Sequence, residues 1–263
     1  MEIAQANGLT GSVLFYSQPE PLNKELHGKL GLVRNAHPYK FAAEGHVVPV
    51  TVTEFGPAAL SYPIIFAGDL KQPLVVTGLN AGQSMFVSPE GAYDVGAYIP
   101  AYVRRYPFVL AADEPNGRMI VCIDRSSSLL AEGGDVPLFD DAGEPTEYTK
   151  NAITFCDDFE NERRRTESFV NLIIELDLFE TKEAFFTPMD PDGSTGEPQR
   201  IAEYFAVSEE KLKTLSPEKM AELRDNGALQ QIYAHLLSLA GWERLIAIAI
   251  AQQAERQAVA SLN

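Results

Sequence analysis

Two short apolar runs joined by a turn-forming sequence constrain the fold of this chain more than any other feature. The runs are residues 108–112 and 119–123, and Pro115-Asn116-Gly117 lies between them. Asn and Gly tolerate the positive φ that tight turns require, so this pattern predicts a β-hairpin. The chain is therefore expected to contain an antiparallel sheet in its first half.

The sequence before this hairpin repeats the same kind of pattern. Runs rich in Val, Ile, Phe and Thr alternate with Gly, Pro and Asn turns at intervals of 8–12 residues, which is typical of antiparallel strands. The runs are residues 46–55, 62–67, 73–79 and 84–87. Residues 54–60 fit a short helical turn equally well. Residues 1–40 show no lasting period and are expected to form an irregular arm around the sheet.

The second half is mainly helical in pattern. From Thr149, apolar residues recur every three or four positions as far as Leu176, which predicts a long amphipathic helix. Two strand-like runs near 183–207 predict a second hairpin. Ser216-Pro217 fits a helix start, with a capping hydroxyl followed by proline at the first helical position. A long terminal helix is expected to follow Gly227.

These patterns together predict an α+β fold, with an N-terminal antiparallel β-rich sheet or small barrel packed with a mainly helical C-terminal part containing one extra hairpin. The predicted divisions are a β-rich part with its arm at 1–125, an acidic connector at 126–148 and the helical part at 149–263. The connector has low hydrophobicity and two Gly-containing clusters, so a surface loop is expected there.

The charge of the chain limits its partners. The formal net charge is −16, and almost all of it lies after residue 110, where 29 acidic residues face 14 basic ones. Such a chain repels phosphate backbones, so nucleic acid is not an expected partner. No apolar run reaches the roughly 20 residues that a membrane helix needs, and no signal peptide is visible, so we expect a cytoplasmic protein without a membrane span. The apolar run 245–251 could instead support a homo-oligomer through the C-terminal helix.

Motifs for catalysis or cofactors are missing from the sequence. The four histidines show none of the usual zinc-ligand spacings, and there is no GxGxxG, P-loop or GxSxG motif. We therefore predict no catalytic residue, no metal and no cofactor. Cys122 and Cys156 lie in apolar runs and are expected to be buried thiols. A disulfide bond between them is the alternative.

One segment stands out as a candidate surface for a protein partner or a small molecule. Tyr98, Tyr102, Arg104, Arg105 and Tyr106 lie just before the first hairpin. Arginine and tyrosine are favoured at recognition surfaces, because they offer bidentate donors beside flat amphipathic rings. The alternative is structural: Tyr102 and Tyr106 pack on the core while the arginines pair with acids of the second half.

Several stretches of the chain resemble the SapC family of bacterial proteins. They include FYSQPEPLNKELHGKL from Phe15, FAAEGHVVPVTVTEF from Phe41, YIPAYVRRYPFVL from Tyr98 and ALQQIYAHLLSLAGWERL from Ala228. The resemblance spans about residues 15–246. It implies an accessory or binding protein without catalytic activity, associated with nutrient uptake or use in the context of TonB-dependent receptors. It brings no catalytic residues with it.

Two other functions remain open. The name of the family comes from association with a bacterial surface layer, so a protein of the S-layer or envelope is the first alternative, at the cell envelope or surface. An enzyme acting on a small molecule, with a metal held by His46 and acids, is the second.

Overall fold

The computed structural model describes residues 13–113, 118–187 and 196–260, with the side chains of Asp113 and residues 253–260 excepted. It confirms the predicted α+β class, since strands form three antiparallel sheets and long helices follow in the second half. The strands are β1 Pro19–Pro21, β2 Leu30–Leu32, β3 Val47–Pro49, β4 Ile64–Ala67, β5 Gln72–Val76, β6 Phe108–Asp113, β7 Arg118–Asp124, β8 Leu130–Glu132, β9 Val136–Pro137, β10 Phe179–Phe186 and β11 Gln199–Val207. The helices are α1 Lys24–His27, α2 Phe55–Ala59, α3 Ala101–Arg104, α4 Glu147–Glu175, α5 Glu209–Lys213, α6 Pro217–Asp225, α7 Ala228–Ser238 and α8 Gly241–Ala260.

The chain divides into two compact units that each draw on separate parts of the sequence. The first unit runs up to Ala43 and adds Val87–Tyr93 and Ala101–Glu162. The second unit contains Glu44–Phe86, Asp94–Pro100 and the chain from Arg163 onward. The boundary between them falls inside α4, so this single helix belongs to both.

The predicted hairpin forms the centre of the first unit. Strands β6 and β7 pair antiparallel with Phe108 opposite Ile123, and both side chains are fully buried. The turn that joins them, residues 114–117, lies outside the described residues. The arm predicted to be irregular supplies an ordered edge strand, because β1 pairs with β7 from Pro19 to Pro21. Proline is tolerated there because an edge strand need not donate every N–H to the ladder.

The acidic connector is more ordered than its composition indicates. Its strands β8 and β9 both pair with β2, which gives the first unit a second three-stranded sheet. This pairing brings Gly31 and Gly134 so close that a Cβ on Gly31 would lie 2.6 Å from the carbonyl oxygen of Gly134. Glycine is therefore required at Gly31 by a close approach of two backbones.

The second unit is built on a five-stranded antiparallel sheet in the order β10-β11-β4-β5-β3. The hairpin predicted near 183–207 is confirmed as β10 and β11, although residues 188–195 of its turn lie outside the described residues. Strand β11 also pairs with β4, where Phe205 faces Phe66. The predicted strand at 84–87 is reduced to an isolated bridge between Val87 and Tyr93, both of which belong to the first unit.

A buried histidine ties helix α7 to two strands of this sheet. His235 is fully buried; its Nδ1 lies 3.0 Å from the carbonyl oxygen of Ile64 and its Nε2 accepts a hydrogen bond from the Val207 N–H at 3.0 Å. Burial lowers the pKa of His235 to about 4, so the ring is neutral at neutral pH. Because Nε2 accepts a hydrogen bond, Nδ1 carries the ring proton and donates it to the Ile64 carbonyl oxygen. The Ser238 hydroxyl accepts the Ile64 N–H at 2.9 Å. These bonds fix α7 on the sheet.

The terminal helix is broken, contrary to the prediction of one long helix. Helix α7 ends at Ser238 and α8 begins at Gly241, where a Cβ would lie 3.0 Å from the backbone nitrogen of Pro63. By length and composition alone, the stretch Ala228–Gln252 is apolar enough to cross a membrane. The core helix of a soluble protein meets the same criterion, and the absence of a membrane span stays a prediction.

Candidate functional site

The Tyr98–Tyr106 segment is divided between the two units. Tyr98 belongs to the second unit. Its hydroxyl donates to Glu54 Oε1 at 3.0 Å, its N–H donates to Ser61 Oγ at 3.0 Å, and its carbonyl oxygen accepts from the Tyr62 hydroxyl at 2.6 Å. Bonds from both backbone and side chain give Tyr98 a clear structural role within that unit.

The remaining four candidate residues belong to the first unit, and Arg105 lies at their centre. The guanidinium carbon of Arg105 is 4.1 Å from the ring centroid of Tyr102, 4.5 Å from that of Phe159 and 5.7 Å from that of Tyr16. An arginine among ring faces is stabilised by the negative quadrupole of each ring. The Tyr102 side chain is buried and its hydroxyl donates to the carbonyl oxygen of Leu14 at 3.2 Å.

The two structural expectations for this segment are therefore met only in part. Tyr102 packs in the core, as the structural alternative requires. Within residues 13–113, 118–187 and 196–260, however, Arg105 forms no ion pair with an acid, and its charge is matched by aromatic rings instead. Arg104 is exposed and its guanidinium lies 5.3 Å from the ring centroid of Phe155.

Tyr106 opens a line of rings that reaches the surface. Its ring stacks on Phe41 with centroids 3.9 Å apart and an angle of 21° between the planes. Phe41 is followed by Tyr39 at 6.5 Å, and Tyr39 by Tyr93 at 5.4 Å. All four side chains are half-buried. We call these four residues the aromatic strip.

A buried carboxylate binds the hydroxyl at one end of the strip, that of Tyr106. Asp124 is 1% exposed, and its two oxygens accept hydrogen bonds from the N–H groups of Ser17 at 3.0 Å, Gln18 at 3.0 Å and Ser126 at 3.1 Å. The Ser126 hydroxyl adds a bond of 2.7 Å, and the Tyr106 hydroxyl one of 3.3 Å. Five donors around one carboxylate satisfy the hydrogen-bonding capacity that burial would otherwise leave open.

The ionisable groups of this region are shifted away from neutral pH. Burial raises the pKa of Tyr106 to about 12, with the nearby Asp124 carboxylate acting in the same direction. Burial also raises the pKa of Tyr16 and Tyr102, and in both cases Arg105 opposes the rise. Cys122 and Cys156 are free thiols whose pKa burial raises to about 11. These phenols and thiols are therefore protonated at neutral pH, which suits packing and hydrogen bonding rather than nucleophilic attack.

The part of the chain that the structure describes contains no cluster of side chains suited to bind a metal ion. No group of three His, Cys, Asp or Glu side chains there is placed to hold a metal ion. His46, considered in one alternative as a metal ligand, has its Nδ1 3.4 Å from the Gly82 backbone nitrogen.

A comparison with protein-family models identifies the family of the chain. The model described as SapC matches residues 22–245. The chain belongs to the SapC family. This match includes most of both units and confirms the resemblance found in the sequence, while most of α8, from Ile246 onward, lies beyond it. No curated protein and no solved structure matches this SapC protein.

Sequence reasoning identified one end of the aromatic strip and missed the rest. It singled out Tyr106 but not Tyr39, Phe41 or Tyr93, which lie 13 or more residues away along the chain. It also missed Asp124, the last residue of an otherwise ordinary apolar strand. The pairing of β1 with β7 brings the Ser17 and Gln18 N–H groups to this carboxylate. No local sequence pattern predicts that pairing.

Proposed function

We propose that this SapC-family protein is a non-catalytic accessory protein that binds a protein partner through the aromatic strip and the neighbouring Arg104. One observation carries the proposal: four rings in successive contact are left half-exposed in a row, and an exposed arginine lies two residues before Tyr106. Aromatic side chains and arginine are enriched at the centres of protein interfaces, where they bury large areas at a low cost in side-chain entropy.

The chemistry of the site favours binding over bond-making. The tyrosine and cysteine pKa values lie well above neutral, and the Asp124 carboxylate is already occupied by five donors. A general base or nucleophile needs a pKa close to the working pH and access to substrate. The same proposal includes a role in nutrient uptake or use, which the resemblance to the SapC family implies, and a cytoplasmic location.

Affinity purification from the organism that encodes the protein tests this function. The tagged wild type is compared with Arg104→Ala and with the double variant Tyr39→Ala, Tyr93→Ala. We expect both variants to keep the circular dichroism spectrum of the wild type. The amount of specifically captured partner should fall at least tenfold. Arg105→Ala is unsuitable as a binding probe, because Arg105 lies among three rings of the interior.

A matched control separates loss of the strip from loss of any surface tyrosine. Tyr233 on α7 is 49% exposed and belongs to the second unit. Tyr233→Ala should leave the captured partner unchanged. Equal capture by the wild type and the strip variants would remove the aromatic strip from the proposal.

An envelope role is the second candidate, and one observation favours it. The apolar stretch Ala228–Gln252 leaves Leu237 75% exposed and Ile250 44% exposed, a surface suited to association. Cell fractionation decides between the two functions. Recovery of the native protein in the membrane or surface fraction supports the envelope role, and recovery in the cytosol alone supports the accessory role.

Self-association through the same helices is a separate prediction. Light scattering coupled to size exclusion measures it directly. If α7 and α8 form the interface, Leu237→Glu should convert a dimer into a monomer of unchanged helical content. A monomeric wild type would contradict this part of the proposal.

A further inference from the structure

A cavity in the second unit is lined by residues that the preceding proposal does not use. It is a cavity of about 620 Å³ bounded by the loop after β5, the end of β10, the start of β11 and helix α8. This volume is in the range of pockets that bind small molecules. The residues that matter to its chemistry are Asn80, Gln83, Phe186, Gln199, Arg200 and Gln252.

Side-chain amides dominate the polar lining of the cavity. Gln252 Nε2 donates to the carbonyl oxygen of Met85 at 3.4 Å. Within the described parts of the chain, the side-chain amides of Asn80, Gln83 and Gln199 make no hydrogen bond. Each amide offers two donors and one acceptor, so the cavity presents both kinds of group to a ligand.

The only charge among these lining residues is balanced within the protein. Arg200 Nη1 lies 2.8 Å from Glu183 Oε1 and 3.1 Å from Glu203 Oε2. Two carboxylates beside one guanidinium leave no net positive charge to attract an anion. An uncharged ligand therefore fits this cavity better than a phosphate or a carboxylate.

The loop that carries Asn80 and Gln83 is held in a defined shape. A Cβ on Gly78 would collide with the carbonyl oxygen of Gln83, so the two ends of the loop are in close contact. The Met85 N–H donates to the carbonyl oxygen of Thr77 at 2.8 Å, and the buried Thr77 hydroxyl donates to that of Gly45 at 2.6 Å. A loop with a fixed backbone does not have to be ordered when a ligand binds, which favours affinity.

We propose that this cavity binds a neutral sugar. Each sugar hydroxyl donates and accepts at once, which matches the paired donors and acceptors of Asn80, Gln83 and Gln199. The half-buried ring of Phe186 offers an apolar face to the C–H face of a sugar ring. The site is independent of the aromatic strip, so either can exist without the other.

Titration with defined sugars tests the assignment. Side-chain amide resonances of the wild-type protein are followed by ¹H–¹⁵N NMR during addition of glucose, galactose, mannose, xylose, maltose and cellobiose to millimolar concentrations. We expect at least one of these sugars to give saturable shifts of the Asn80, Gln83 and Gln199 side-chain resonances. Glucuronate and glucose 6-phosphate serve as charged probes and should bind more weakly than glucose.

Variants then locate the binding to the cavity. Gln83→Leu and Gln199→Leu keep the approximate side-chain size and should each weaken binding about tenfold, the effect of losing one good hydrogen bond. Gln230→Leu, on the exposed side of α7, should leave the affinity unchanged. Gln199 is exposed at the start of β11, so its variant still tests the site if Gln83→Leu does not fold.

Three results would overturn the assignment. They are a flat titration for the whole panel of neutral sugars, affinities that Gln83→Leu and Gln199→Leu leave unchanged, and tighter binding of either charged probe than of glucose. None of these results bears on partner capture by the aromatic strip.

Discussion

In the first unit the carboxylate of Asp124 is buried among five hydrogen-bond donors, whereas the second unit buries the imidazole of His235 between two strands. Both side chains connect segments that are far apart in sequence. The acid depends on donors from the arm before β1, from Tyr106 and from the turn after β7. The histidine depends on one backbone donor and one backbone acceptor and stays neutral.

The difference shows two ways of placing a polar group in a core. An acid with acceptors only must be surrounded by donors, and each of them is left unpaired if the acid is removed. A neutral histidine needs just one donor and one acceptor, but it becomes costly when pH falls and the ring must take a proton. Loss of the side chain should therefore be costly at Asp124, and a fall in pH should be costly at His235.

The largest effect is expected at Asp124. Asp124→Ala leaves five donors without their acceptor, and we expect a loss of about 3–5 kcal/mol in the free energy of unfolding. Asp124→Asn should lose less, because one oxygen is kept. Urea unfolding followed by circular dichroism measures both. Asp141→Ala, at an exposed position of the same unit, should change the value by about 0.5 kcal/mol or less.

The next effect is the pH dependence contributed by His235. Its folded pKa of about 4 lies below the ordinary value of 6.5, so its contribution is fully present above pH 6.5 and is lost as pH falls towards 4. The shift corresponds to about 3 kcal/mol over that window. Urea unfolding at several pH values should show a steeper loss for the wild type than for His235→Gln. Parallel curves would mean that His235 titrates normally in the folded protein.

A smaller effect distinguishes the two neighbouring arginines. Arg105→Ala removes a cation from among three rings and should cost about 1–3 kcal/mol, because cation–π contacts and packing are lost together. Arg104→Ala, at an exposed side chain, should cost about 1 kcal/mol or less. Thermal unfolding of the two variants in parallel checks the ranking. Equal losses of stability in the two variants would show that the contacts of Arg105 with the rings do not stabilise the fold.

The smallest effect compares two tyrosine hydroxyls in the first unit. The buried Tyr16 hydroxyl donates to the carbonyl oxygen of Phe108 at 2.6 Å, whereas that of Tyr106 is half-buried and 3.3 Å from Asp124. Tyr16→Phe should therefore cost about 1–2 kcal/mol, and Tyr106→Phe about 0.5 kcal/mol. Chemical denaturation resolves the two values. A larger loss for Tyr106→Phe would mean that the Asp124 site depends on this donor more than its length indicates.

Local patterns were sufficient for the elements that are formed by neighbours in sequence. The β6–β7 hairpin, helix α4, the β10–β11 hairpin and the cap of α6 were all predicted, and Ser216 Oγ does accept the Lys219 N–H at 3.3 Å. Each of these depends on a periodicity, a turn or a capping residue within a short stretch of chain.

Features that depend on distant partners were not predictable in the same way. Strand β1 is recognisable as a strand only because β7 is available to pair with it. At the break between α7 and α8, Gly241 lies close to the backbone of Pro63, which is almost 180 residues earlier in the chain. Of the candidate site residues, the division of Tyr98 from Tyr102–Tyr106 follows from the tertiary contacts of Tyr98 with Glu54 and Ser61, which no spacing rule contains.

The pairing of β11 with β4 has a consequence for the order in which the chain is made. Phe205 and Phe66 face each other, so 139 residues must be added after Phe66 before that pair can form. At ribosomal rates of about 5–20 residues per second, the outer edge of β4 waits about 7–28 s without its neighbour. Until β11 has been made, this edge of β4 presents unpaired backbone groups, and an unpaired strand edge is open to mispairing.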